Sequence, residues 1–483
     1  MRFWTTIGVI LVLSAVGLTY EIAAGRVLAP FFGTSLVTWT TVIAVVLAGF
    51  SIGSAVGGLI AERERSAALR DARVALIATA VLMGLSPAVL GAVYASGARG
   101  TAGMTVAVVI AFLPASILVT LPSPLLAKMA IEARPGREGS SLGMVLAAGS
   151  LGAIAGAILA GFVALPLFGS VATFAGCGLI ALLCVPFLPG ARGPAADGAG
   201  GTDGASASGS AVAVLLAGLV LALAAGGGAA CRYESGLSCI DVRETGGAIH
   251  LYSDRAWQAG EPRAGADAQL VLPYTRWIWS RMEADMPADA DVLFIGGGGY
   301  TLPAKLLAER PDARATAVEI DPLVTRVVRE HLPWAAGTIE READAGGRLR
   351  IVHADGRVHV NEATETYDAA VLDAFSSDSV PAHLITRETF ERLRAIVRGP
   401  VYVNLIDHTD GPLARGAYAT LSAVWPHVTA VRGPIGASGR TNIVLAASPG
   451  PLSPLPELPG RYAPTGLGPG DVFTDDRGWT GHR

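Results

Sequence analysis

Three carboxylates and a run of glycines carry the chemistry that this sequence suggests. Residues 296–299 are four consecutive glycines after the apolar run 292–295, and Glu319 closes a second apolar run at 315–320. The first run suits a strand buried on both faces, and glycines after it let the backbone turn against a ligand that side chains would block. Gly296, Gly297 and Gly298 are therefore candidate cofactor contacts. Glu319, at the C-terminal end of the next strand, is placed to accept from both ribose hydroxyls. Asp355 in HADGR and Asp373 in VLDAFSSDSVPAHL each follow another strand-like run. Asp355 could accept from an adenine amino group, and Asp373 could take a proton from an attacking amine or orient it.

The elements that must position these groups alternate. Residues 291–322 predict a strand, a glycine turn, a helix over 302–310 and a second strand, one βαβ crossover with the layout of a nucleoside-cofactor site. Beyond it the pattern predicts a helix at 323–331, strands at 349–353 and 367–372, a helix at 387–397 and a strand at 401–405. This order predicts a mostly parallel, doubly wound sheet, with the three acids converging beyond its C-terminal edge. Upstream, runs at 238–243 and 248–253 flank Glu244, Thr245, Gly246 and Gly247, a hairpin signal.

Composition divides the chain. Of 483 residues 51% are hydrophobic and 16% charged, with a mean hydropathy of +0.49. The apolar residues concentrate before about residue 230. Seven segments approach the roughly 20 apolar residues of a membrane span: 4–24, 37–60, 74–94, 104–121, 142–165, 171–188 and 211–229. Tyr20, Glu21 and Arg26 follow the first apolar run without a small-residue cleavage site, so it reads as an anchor and not as a signal peptide. Gly49, Gly53 and Gly57, and Gly149, Gly152 and Gly156, recur at intervals that suit close helix packing. Glu21 and Arg26 read as an interfacial pair. Arginines at 63, 65, 70 and 73, and Lys128, Arg134 and Arg137, make the loops after the second and fourth spans cytoplasmic. Seven full crossings would then leave the C-terminal half outside. The expected arrangement is a transmembrane helical domain at 1–189, a flexible linker at 190–210, and a last apolar segment at 211–230 that spans or lies at the interface. The α/β domain follows at 231–483, with a β region at 231–285 and a Rossmann-like core at 286–483, and a cytoplasmic catalytic half is favoured. The net charge of −4, without basic tracts, excludes a nucleic-acid surface. Cys177, Cys184, Cys231 and Cys239 lack metal-ligand spacing and read as small buried hydrophobes, with a Cys231–Cys239 disulfide open in an oxidising compartment. No metal is expected.

YESGLSCIDV, the GGGG turn, VEIDP, HADGR, DAFSSDSVPAHL and FTDDR together resemble the polyamine aminopropyltransferases, the spermidine synthase-like proteins with a methyltransferase-type Rossmann fold. YEIAAGRVLAPFFG and GLIAER look like the helical half of the bacterial membrane-fused members. The resemblance implies that Gly296 and Gly298 line the cofactor, Glu319 binds ribose, Asp355 contacts adenine and Asp373 is the catalytic acid/base. It also implies that Gln258 and Tyr274 face the amine or the cofactor tail. The implied donor is decarboxylated S-adenosylmethionine or S-adenosylmethionine itself, the partners are a small-molecule amine and the lipid bilayer, and a homodimer is left open. The chain departs from the family in three ways. Gly299 and Tyr300 stand where soluble members carry an acid that holds the aminopropyl amine, Asp378 as the second acid of the active-site loop has altered spacing, and nearly half of the chain is apolar. Methyl transfer to a membrane-associated acceptor is the alternative reaction, and a polyamine or nucleoside transporter or sensor is the alternative of another class.

Overall fold

The computed structural model describes residues 3–33, 36–188, 203–226, 231–254, 256–263, 269–375, 380–454 and 461–478. The chain divides into two compact units, Met1–Gly236 and Leu237–Arg483.

The first unit is helical: α1 (Phe3–Phe32), α2 (Leu36–Ala61), α3 (Arg65–Ala95), α4 (Gly100–Thr120), α5 (Ser123–Glu132), α6 (Glu138–Leu159), α7 (Leu165–Leu183) and α8 (Asp203–Gly226), followed by the short strand β1 (Tyr233–Glu234). Helix is the form in which an apolar chain can satisfy its backbone without water. Among the described residues five helical stretches are long and apolar enough to cross a membrane: Phe3–Phe32, Val37–Ala61, Arg65–Ala95, Gly100–Glu132 and Glu138–Phe187. The last, 50 residues long, would reach about 75 Å if straight, far beyond a bilayer core. It passes through a π-helical turn at Ala160–Ala164 and breaks at Gly169, whose φ is 74°. The predicted segments 142–165 and 171–188 lie on either side of that break. Glu234 covers the restart, accepting from Ser170 N at 3.0 Å and from the Ser170 hydroxyl. Helix α8 takes in residues 203–210, which the sequence placed in the linker; residues 189–202 lie outside the described ones.

The glycine intervals are packing contacts. A Cβ at Gly53 or Gly57 would strike the carbonyls of Ile117 or Leu121, and one at Gly152 or Gly156 those of Leu11 or Ala15. Helices α2 and α4, and α1 and α6, thus approach backbone to backbone. Inside the bundle the Tyr20 hydroxyl shares a 2.7 Å hydrogen bond with Ser86, and its ring meets Phe174 edge-on at 5.2 Å. Glu21 and Arg26 are both buried, and Arg26 Nε donates to the Ser235 carbonyl at 3.2 Å. Cys177 and Cys184 are buried free thiols, whereas Cys231 and Cys239 are disulfide-bonded and so are not the plain buried hydrophobes expected.

In the second unit the predicted hairpin is β2 (Cys239–Thr245) and β3 (Ala248–Ser253), turning on Gly246 and Gly247 at φ 62° and 78°. Positive φ at both central residues matches the right-handed twist of the strands. An unpredicted third strand, β4 (Ala256–Pro262), pairs with β3. The core follows as α9 (Pro273–Asp285), β5 (Asp291–Ile295), α10 (Thr301–Glu309), β6 (Arg314–Glu319), α11 (Pro322–His331), α12 (Pro333–Ile339), β7 (Leu349–His353), α13 (Gly356–Glu362), β8 (Ala369–Leu372), α14 (Arg387–Ile396), β9 (Val401–His408), α15 (Pro412–Ser422), β10 (His427–Arg432), β11 (Arg440–Ser448) and β12 (Ala463–Pro464). The sheet order is β12-β10-β11-β9-β8-β5-β6-β7. Strands β9 to β7 in that order are parallel, but β11, β10 and β12 are antiparallel additions. The sheet is therefore mixed. The difference arises past residue 405, where β9 continues to His408 because β11 supplies it with an antiparallel partner. Val403, Leu405, Leu372, Phe390, Leu393 and Leu445 form one side of the buried core.

Candidate active site

The C-terminal ends of β5, β6, β7 and β8 open on a cavity of about 280 Å³ whose walls include Gln258, Gly296, Gly298, Glu319, Asp355 and Asp373. The three predicted acids therefore share one crevice.

Glycine supplies the floor. Gly296 adopts φ 101°, and a Cβ there would strike the Asp373 carbonyl, so the loop after β5 lies directly on the chain leaving β8. Gly297 N and Gly298 N donate to Glu319 Oε2 at 3.0 and 3.1 Å, and Asp321 N donates to Oε1 at 2.9 Å. Gly297 is not in the cavity wall. A Cβ at that position would meet the Tyr300 ring and Glu319, so its contribution is an N–H to the acid. Burial raises the Glu319 pKa, and the three backbone donors oppose that rise. A carboxylate has about four acceptor positions, so room for a ligand hydroxyl remains.

Asp355 caps α13, its Oδ1 accepting from Arg357 N at 2.8 Å and Val358 N at 3.1 Å, while Oδ2 lies 3.0 Å from His383 Nε2. Nearby, Asp475 of FTDDR accepts from Thr386 Oγ1 at 2.7 Å and Arg357 Nη2 at 3.0 Å, bracing this wall.

Asp373 follows β8 and has one face open to the cavity. Tyr274 Oη donates to its Oδ2 at 2.8 Å and Asn404 Nδ2 to its Oδ1 at 2.9 Å. Asn404 Oδ1 in turn accepts from Asn442 Nδ2 at 3.1 Å. Burial pushes the Asp373 pKa above the usual carboxylate range, and the bonds from Asn404 and Tyr274 pull it back. Burial and the adjacent Asp373 push the Tyr274 hydroxyl well up. The same two causes raise Tyr462. Both phenols stay neutral, and Tyr274 is the one that donates to the carboxylate. Asn404, Asn442 and Tyr462 were missed, although a lone amide inside the apolar run VYVNLI of β9 was a usable signal. Asp378 lies outside the described residues.

At position 299 a side chain has no room: a Cβ would land on Ala259 of β4. Tyr300 is buried with φ 56°, its hydroxyl 2.6 Å from Thr325 Oγ1, which lies 2.9 Å from His353 Nε2. The cavity wall carries five carboxylates, adding Asp254 and Asp321 to the predicted three, and no lysine or arginine among its described residues. Such a wall favours a cationic ligand.

Residues 273–404 match the family described as spermine/spermidine synthase domain. The polyamine aminopropyltransferase of Vibrio vulnificus is 29% identical over 125 residues, covering 25% of this chain and 38% of that protein. That of Korarchaeum cryptofilum is 30% identical over 120 residues, covering 25% and 35%. The chain thus spans a little over a third of the length of these relatives. Among solved structures, a probable spermidine synthase from Corynebacterium glutamicum aligns with a TM-score of 0.39 and 24% identity, over 45% of this chain and 78% of that one. The spermidine synthase of Thermotoga maritima aligns with a TM-score of 0.37 and 22% identity, over 46% and 73%. The matched residues 273–404 contain every sequence-predicted site residue except Gln258.

Proposed function

We propose that the second unit transfers an aminopropyl group from an adenosyl sulfonium donor, decarboxylated S-adenosylmethionine, to an amine. The observation that carries this reading is Asp373, held by Tyr274 and Asn404 at the edge of a cavity lined by carboxylates. Glu319 would take a ribose hydroxyl, the loop at Gly296 and Gly298 would admit the nucleoside, Asp355 would meet adenine, and Gln258 would face the donor tail. The acceptor nitrogen attacks the carbon beside the sulfonium, and the C–S electron pair leaves with sulfur as methylthioadenosine. Asp373 accepts the proton that the nitrogen sheds. Positioning the two reactants together supplies much of the rate.

The closed position at 299 removes the acid expected to hold the aminopropyl amine, which favours methyl transfer from intact S-adenosylmethionine as the second reading. Against it, the donor's carboxylate would meet five acids and no lysine or arginine among the described wall residues. Mass spectrometry of products from the purified chain, offered each donor with a panel of amines and lipids, tests both. Methylthioadenosine from the decarboxylated donor is expected, and S-adenosylhomocysteine from the intact donor would overturn aminopropyl transfer.

We place the first unit in a lipid bilayer, on its five long apolar stretches. We favour a cytoplasmic second unit on the reading that its donor is a cytosolic nucleoside, while the disulfide-bonded Cys231 and Cys239 pull toward an oxidising side. Labelling of single cysteines introduced on the second unit in intact cells reads the side directly; modification only after permeabilisation gives the cytoplasm.

A further inference from the structure

Asp373 is reached by an ordered line of amides that begins on the antiparallel edge of the sheet. Asn404 on β9 is 1% exposed, and its two amide ends face different groups: Nδ2 faces Asp373 and Oδ1 faces Asn442 on β11. An amide can rotate by half a turn and exchange donor for acceptor at almost no cost in shape. The ionised carboxylate only accepts and so selects the Asn404 N–H at one end. At the other end Asn442 Nδ2 gives Oδ1 of Asn404 a donor, which adds to the cost of turning the amide over. We propose that Asn442 is a positioning residue that fixes the amide orientation of Asn404 and thereby keeps Asp373 an ionised proton acceptor. This rests on the reading of Asp373 as the base. Asn442 lies outside the segment that matches the synthase domain.

Other groups around Asp373 bound the effect. Tyr274 on α9 and Tyr462 in the segment before β12 are neutral phenols. Across the cavity stand Glu319, and Asp355 with His383; none of these reaches Asn404.

The test uses the purified full chain carrying Asn442→Asp or Asn442→Leu. The first replaces the donor by an acceptor of the same shape, and the second removes it without adding charge. An infrared titration of the Asp373 carboxyl, assigned with Asp373→Asn, reads the orientation independently of turnover. Its midpoint should rise by about one pH unit in Asn442→Asp and by less in Asn442→Leu, equivalent to about a tenfold change in proton affinity. The acidic limb of the kcat profile should move up by the same amount, so kcat on the acid side of the midpoint should fall about tenfold and at neutral pH by less, while the donor Kd holds within twofold. Asn442→Leu carries the test alone if the Asp variant fails to fold. An unmoved infrared midpoint in the folded variant overturns the proposal. A moved midpoint in a protein that makes no methylthioadenosine upholds the positioning role and removes aminopropyl transfer instead.

Discussion

Two carboxylates of one cavity are held by opposite means. Glu319 is fastened by backbone, three N–H groups of its own turn and the glycine loop. Asp373 is fastened by side chains, a phenol from α9 and an amide from β9. Backbone donors cannot be exchanged by an ordinary side-chain substitution and cannot move without moving the loop, so the Glu319 end is the rigid one. Side-chain donors can be tuned one at a time, and the Asp373 end is where proton affinity can be adjusted to a reaction. Under the proposed function, binding and proton transfer would thereby be separated along one crevice.

This division sets the expected effects of substitution. Asp373→Asn should lower kcat by about 10³-fold or more, in the upper range for a general base, with donor affinity within threefold by calorimetry. A large loss of donor affinity would mean that Asp373 belongs to the Glu319 end. Glu319→Gln should do the reverse. Its amide would turn an N–H toward Gly297 N and Gly298 N or Asp321 N, and donor affinity should fall about 30-fold, with a lower melting temperature. Equal kcat and affinity losses in both variants would erase the distinction. Tyr274→Phe removes one of the two bonds that restrain the Asp373 pKa. The pKa should rise, so activity should be lost first on the acid side, with kcat down about tenfold at pH 6 and less at pH 8. A shift of the limb to lower pH would contradict the assignment of Tyr274 as donor. Gly299→Asp should give the smallest gain to chemistry. The new side chain meets Ala259, so the variant should melt several degrees lower without improved aminopropyl transfer, and Ala259→Gly in the same chain should recover the melting temperature.

The Glu319 end of the cavity was legible in the sequence because it is local. The apolar run, the glycines and Glu319 lie within one βαβ unit, and each signal reinforces the next. The ends of β7 and β8 gave Asp355 and Asp373 on the same logic. What escaped was non-local. Asn442 faces Asn404 only because β11 runs antiparallel beside β9, and no spacing rule links positions 404 and 442. Strand β4 escaped for a related reason, since its pairing with β3 is what marks it as a strand. Gly297 was assigned to the ligand because glycine type alone does not tell a turn that faces a ligand from one that faces its own acid. In the helical unit the glycine intervals were legible as packing faces, since there a single period serves a single purpose. Helix α8 began earlier than expected because the polar, small-residue composition of 203–210 resembles a linker until a helix continues through it.

The contact between Gly299 and Ala259 also constrains the order in which sequences of this kind can change. A larger side chain at 299 is accommodated once the methyl at 259 is gone, and strains the contact with β4 if it comes first. Positions 259 and 299, although 40 residues apart in the sequence, are therefore coupled.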